Sequence, residues 1–151
     1  MEAPIIEWTC KTFAELSTTE LYHILQLRAA VFVVEQQCAY QDIDGKDLKG
    51  YHLTGWHNGA AVAYTRLLPK GVSYAEQSIG RVVTAQAYRA LGLGRVLMQQ
   101  SIEASYRLFG KTPIRIGAQQ HLKRFYESLG FQQASDLYDE DGIPHIEMVK
   151  S

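Results

Sequence analysis

The hydrophobic positions of this chain alternate between short β-like runs and longer stripes at helical spacing. Ile5 to Cys10 reads as a first strand. Ser17-Thr18-Thr19-Glu20 has the spacing of a capping box, and Leu21, Ile24, Leu25, Arg28, Val31 and Phe32 then follow one helical stripe. Phe32 to Gln36 continues or restarts that helix. Tyr51 to Trp56 and Ala61 to Leu68 are apolar runs separated by His57-Asn58-Gly59-Ala60, and Asn-Gly predicts a hairpin of antiparallel neighbours. Pro69 to Ser78 reads as a loop, and Ile79 to Thr84, apolar and β-branched around Gly80 and Arg81, as a buried strand. From Leu93 the positions Val96, Leu97, Met98, Ile102, Ala104 and Leu108 predict a helix that stops at Gly110. Pro113 to Ala118 is a short strand, and Leu122, Phe125, Tyr126 and Leu129 mark a helix closed by Gly130. Phe131 begins another strand region. Asp139 to Gly142 is an acidic turn, and Ile143 to Val149 a final strand. This order predicts an α/β fold with a mixed sheet.

Composition narrows the class. The 151 residues, 46% hydrophobic and 21% charged, suit one globular domain spanning 1–151. Fifteen Lys+Arg against sixteen Asp+Glu give a net charge of -1, which provides no bulk attraction for nucleic acid or an anionic membrane. The beginning of the chain has no basic region followed by an apolar one, and no apolar run approaches a membrane span, so a cytoplasmic location is expected. Cys10 and Cys38 lack C-x-x-C or paired-His spacing, so neither zinc nor a disulfide framework is expected, and each reads as a buried thiol.

The candidate chemistry centres on Arg89-Ala90-Leu91-Gly92-Leu93-Gly94-Arg95, between a strand and a long helix. Two glycines at a helix start let a ligand approach the backbone closely. The free amides there and the partial positive charge of the helix terminus favour a phosphate group, and Arg89 and Arg95 add full charges. A dinucleotide fingerprint fails, because Leu97 stands where its third glycine belongs; a Walker loop fails, because Ser105 stands at the leading glycine before Gly110-Lys111-Thr112. Arg28 interrupts an apolar stripe, which implies either snorkelling or pairing with a carboxylate. Glu35 lies beside apolar residues. Tyr40 to Asp47 is carboxylate-rich but has glycine fourth and Leu53 twelfth from Asp42, which is not an EF-hand loop. It reads as an acidic turn, or as a lip attracting a cationic amine.

R-x-x-G-x-G between strand and helix, Phe125-Tyr126-Glu127-Ser128-Leu129-Gly130-Phe131 and the element order resemble the GNAT acetyltransferase superfamily over almost the whole chain. Val31 to Gln36, Tyr40 to Gly45 with Asp47, Gly117-Ala118-Gln119 and Asp141 to Ile146 resemble its ElaA-type branch. The resemblance implies a mostly antiparallel twisted sheet splayed at the cofactor site and flanked by about four helices. It implies acetyl-CoA as cosubstrate, an amine as acceptor, direct attack in a ternary complex, and no metal. CoA would contact Val82, Val83, Thr84, Arg89, Ala90, Leu91, Gly92, Leu93, Gly94 and Arg95, with Tyr126 as the acid that protonates the departing thiolate. The strand before the cradle reads Ser78-Ile79-Gly80-Arg81-Val82, without the glutamate some members carry there. Glu35, His145 and Glu147 are therefore candidate bases, beside a water chain. His52, His57 and His121 read as ordinary surface or core histidines. A homodimer stays open, and a non-catalytic acyl-CoA sensor is the competing reading.

Overall fold

Asn58 and Gly59 take left-handed φ values of 50° and 75°, as a two-residue turn between twisted strands requires. In the computed structural model, which describes residues 4–151, they join β2 (Tyr51–His57) directly to β3 (Ala60–Leu68). Outside β2 lies β1 (Glu7–Thr12), later than the expected Ile5 to Cys10, because pairing begins at Glu7 with Trp56 and Ile5 is left exposed. Inside β3 lies β4 (Gln77–Thr84), followed by β5 (Ile114–Gln119), β8 (Ile143–Lys150) and β6 (Phe131–Gln133), with β7 (Tyr138–Glu140) also on β8. Every pairing is antiparallel except β4 with β5. The sheet is therefore mixed and mostly antiparallel, as expected.

Helix α1 (Thr18–Arg28) starts at the predicted capping box, in which Ser17 and Glu20 exchange side-chain-to-backbone hydrogen bonds of 3.0 and 2.8 Å. It continues as a seven-residue π-helical segment, Ala29–Glu35. Helix α2 (Leu93–Phe109) has the predicted bounds, and α3 (Lys123–Glu127) follows a 3-10 turn over Gln120–Leu122.

The helices pack on separate cores. Tyr64 and Leu67 of β3, an odd number of residues apart, face opposite sides of the sheet. Tyr64 packs with Ile24, Leu27 and Phe32 of the α1 segment, whereas Leu67 packs with Leu97 and Met98 of α2. Leu97 and Met98 are fully buried, each worth about 1.5–3 kcal/mol relative to exposure. β4 changes sides in mid-strand. Its register with β3 slips between Tyr64 and Arg66, so that Arg81 and Val82 face one residue and Ile79 and Val83 reach different cores. That bulge sets up the site.

Candidate active site

β4 and β5 pair only through Gln77 with Ile114 and Ser78 with Arg115. Because the two strands are parallel and lose their ladder after two pairs, they diverge toward their C-terminal ends. A cleft of about 500 Å³ opens in the gap, with Ile79, Gly80 and Val82 of β4 on one side and Ile116, Gly117 and Gln119 of β5 on the other. β3 covers β4 on its far side, but no strand among the described residues pairs with the cleft edge of β4 beyond Ser78. The peptide groups there are available to a bound molecule. The bulge adds to this: Arg81 has a φ of 50°, a left-handed conformation costly for a non-glycine residue.

A buried ion-pair lattice holds Arg81 and the segment above it. Arg28, fully buried at the end of α1, donates to Asp42 Oδ2 at 3.0 Å, to the Asp42 carbonyl at 2.9 Å and to Asp47 Oδ1 at 2.8 Å. Arg66 of β3 grips both carboxylate oxygens of Asp44 at 2.8 and 3.0 Å and reaches Asp47 at 3.0 Å. Arg81 pairs with Asp42 at 2.9 Å and with Asp44 at 3.2 Å, and its guanidinium lies over the Tyr40 ring. Three guanidinium groups thus face three carboxylates. Of the two readings of Arg28, pairing is the one observed, and the Tyr40 to Asp47 carboxylates are committed to these arginines and are not a free acidic lip. Although burial alone would raise the Asp44 carboxyl, Arg66 and Arg81 hold it down to about 2. His52 sits under the lattice, donating from Nε2 to the Asp47 carbonyl at 2.9 Å and accepting from the Tyr64 hydroxyl at 2.6 Å. Burial pushes its pKa down.

Tyr126 of α3 lines the cleft and is 5% exposed. Its phenol has no hydrogen-bond partner among the described residues, and burial pushes it up to about 12. His145 also lines the cleft, with Nδ1 at 2.7 Å from the Ile143 carbonyl and Nε2 at 3.1 Å from Glu140. Glu35 stands apart from the cleft wall and forms a two-point pair with Arg89, at 2.5 and 3.0 Å. Glu147 is paired with Arg115 at 2.9 Å.

The expected cradle begins where β4 ends. Val83 is buried in the α1 core, and the Thr84 carbonyl accepts from Arg89 at 3.3 and 3.2 Å. Gln86–Leu91 forms a 3-10 turn through Arg89, Ala90 and Leu91. Gly92 caps α2 with a φ of 71°, the left-handed value that favours glycine there. Leu93 turns inward, whereas a side chain at Gly94 would meet no protein atom within 4 Å. Arg95 bridges to α3 through Ser128 Oγ at 2.6 Å. The first four amides of α2, from Leu93 onward, have no partner within the helix.

Sequence reasoning did not single out Arg66, Arg81, Tyr74 or Tyr138. Arg66 and Arg81 carried a signal, since each is a lone cation in an apolar strand and the chain holds a cluster of aspartates to match. Tyr74 and Tyr138 carried none, because only the fold brings them to β5.

A diverging parallel pair, a bulged strand and a glycine-led helix beneath them define the GNAT class of acyl-CoA-dependent transferases. Residues 17–151 match the acetyltransferase (GNAT) domain family, and the chain belongs to that family of acyltransferases. It is 46% identical over 148 residues, 97% of both chains, to protein ElaA of Escherichia coli strain K12. The crystal structure of Escherichia coli ElaA superposes with a TM-score of 0.91 at 44% identity, covering 97% of this chain and 100% of the other. An acyl-CoA N-acyltransferase from Pseudomonas aeruginosa matches equally well, with a TM-score of 0.91 at 46% identity over 96% of this chain and 99% of that one.

Proposed function

We propose that this protein transfers an acetyl group from acetyl-CoA to an amine by direct attack in a ternary complex. The observation that carries the reading is the β4–β5 divergence with the buried Tyr126 phenol lining it, on a helix end that Arg95 of α2 grips through Ser128 and Phe125. In this reading the pyrophosphate lies on the amides between Ala90 and Arg95, and the pantetheine runs along the unpaired edge of β4. An amide of Val82 or Val83 polarises the thioester carbonyl, a role that matters most where water is excluded.

The amine must lose a proton before it attacks, since an alkyl ammonium has a pKa near ~10.4. Glu35 is held by Arg89 outside the cleft wall, and both His145 ring nitrogens face acceptors. Water leading out of the cleft past the Glu140–His145 pair fits this arrangement best as the proton's route. The neutral amine then adds to the carbonyl carbon, the carbon–sulfur bond breaks as the Tyr126 hydroxyl gives its proton to the departing thiolate, and the extra proton on the former amine nitrogen passes through water to the Tyr126 phenolate, leaving neutral amide, free thiol and phenol. A free thiol has a pKa of about 8.5, below that of the phenol. In this buried position desolvation raises both groups, so Tyr126 stabilises the sulfur's charge by hydrogen bonding even before full transfer.

Mass spectrometry of products after incubation with acetyl-CoA and a panel of amines tests the reading. An acetylated amine and free CoA in equal amounts are expected. Tight CoA binding with no acetylated product would favour the sensor reading.

A further inference from the structure

Gly117 faces the cleft from β5, and two phenols converge on it. A Cβ built there would lie 3.0 Å from the Tyr74 hydroxyl and 3.2 Å from the Tyr138 hydroxyl. Tyr74 comes from the β3–β4 loop, which is folded inward by a hydrogen bond from the Gly71 amide to the Tyr74 carbonyl at 2.7 Å. Tyr138 comes from β7, its ring 6.0 Å from that of His145. Neither hydroxyl has a hydrogen-bond partner among the described residues, although both side chains are half-buried. Two unpaired hydroxyls brought together from separate elements at the wall of a cleft offer a bound molecule two hydrogen-bond partners at once.

The charge around them selects that ligand's sign. Burial comes first in raising both phenols, and the carboxylates of Glu140 and Glu147 add to it in each case, which places those carboxylates close by. Glu140 and Asp141 also line the cleft. The cations near the cleft are already engaged: Arg66 and Arg81, which line it, are paired with Asp42, Asp44 and Asp47, Arg115 is shared between Glu76 and Glu147, and Lys46 donates to Ser73 Oγ at 2.9 Å. An anion would meet a surplus of carboxylates, whereas an ammonium would meet two phenol oxygens and the Glu140 oxygen that His145 does not hold, one acceptor for each N–H. The aromatic rings are compatible with a cation as well.

We propose that the space over Gly117, framed by the Tyr74 and Tyr138 hydroxyls and the Glu140 carboxylate, is the acceptor subsite and takes a primary alkylamine as its ammonium. The proposal rests on the N-acetyltransferase reading and adds the class of acceptor to it. Gly117 is required for space, because any side chain there would displace the ligand from the two oxygens.

Steady-state kinetics with butylamine, an ammonium at neutral pH, and aniline, a neutral amine, separate the possibilities. In the double variant Tyr74→Phe with Tyr138→Phe, the KM for butylamine is expected to rise about tenfold or more, with kcat and acetyl-CoA affinity by calorimetry close to wild type and the aniline KM unchanged. Gly117→Ala should reproduce the selective loss. An unchanged butylamine KM in the double variant, or equal losses for butylamine and aniline, would overturn the subsite while leaving acetyl transfer intact. If no amine is acetylated, ligand-observed NMR of butylamine decides: binding to wild type that disappears in the double variant upholds the subsite and ends the transferase reading, and absence of binding overturns the subsite too.

Discussion

In the proposed reaction Tyr126 is the proton donor, and its burial decides how it would act. With a phenol pushed up to about 12 by desolvation, Tyr126 remains protonated at every pH where the protein would be assayed. If it donates to the departing sulfur, the turnover-limiting chemistry rises with pH as the amine loses its proton and shows no falling limb up to about pH 10. A fall centred nearer pH 8 or 9 would assign the donor role to another group. Tyr126→Phe keeps the ring and its edge-on packing against Phe125 and Phe131. It should melt within a few degrees of wild type and bind acetyl-CoA almost normally. A general acid contributes about 10²- to 10⁴-fold, and a thiolate leaves well unaided, so a loss of at least about tenfold in turnover is expected. Wild-type turnover where chemistry limits the rate would return Tyr126 to the core.

At the scale of elements, the cradle divides its two glycines between different tasks. Gly92 supplies the left-handed turn into α2, whereas Gly94 opens into free space. Gly94→Val should therefore fold, with CoA affinity by calorimetry reduced at least about a hundredfold because the new methyls occupy the ligand's approach. Unchanged affinity in the folded variant would place the pyrophosphate elsewhere. This loop was legible in the sequence because its signal is local, two glycines and two arginines between an apolar run and a helical stripe. The Asn58-Gly59 hairpin, the Ser17 capping box and the whole of α2 were legible for the same reason. The slip at Arg81 was not. A lone arginine beside Gly80 hints at a carboxylate partner, but no spacing shows that the strand slips there or that the residue takes a left-handed φ among partners at positions 40, 42 and 44. The convergence of Tyr74 and Tyr138 on Gly117 was also out of reach, since it depends on where two loops land and not on any spacing along the chain.

Across the whole molecule, the lattice of Arg28, Arg66 and Arg81 with Asp42, Asp44 and Asp47 fastens α1, the segment above the cleft, β3 and β4 to one another. Removing one member leaves a buried charge without its partner, which typically costs about 3–5 kcal/mol. Arg28→Met should therefore lower the melting temperature by many degrees, and the loss should also reach the cleft wall through Tyr40 and Arg81. The same lattice fixes how the fold responds to acid. His52, buried beneath it, has a depressed pKa, so the unfolded chain binds a proton that the folded one resists as the pH falls below about 6.5. Asp44 is held down to about 2 against an unfolded value near 3.9, and Asp47 is lowered too, so a second loss follows as the pH drops from about 4 toward 2. Both contributions have the same sign: stability is fully present near neutrality and declines toward acid in two stages. Thermal melts between pH 3 and pH 8 should show the upper stage vanish in His52→Gln, which keeps a donor for the Asp47 carbonyl, while the lower stage persists. A single transition below pH 4, unchanged by that substitution, would show that burial does not hold His52 neutral in the folded protein.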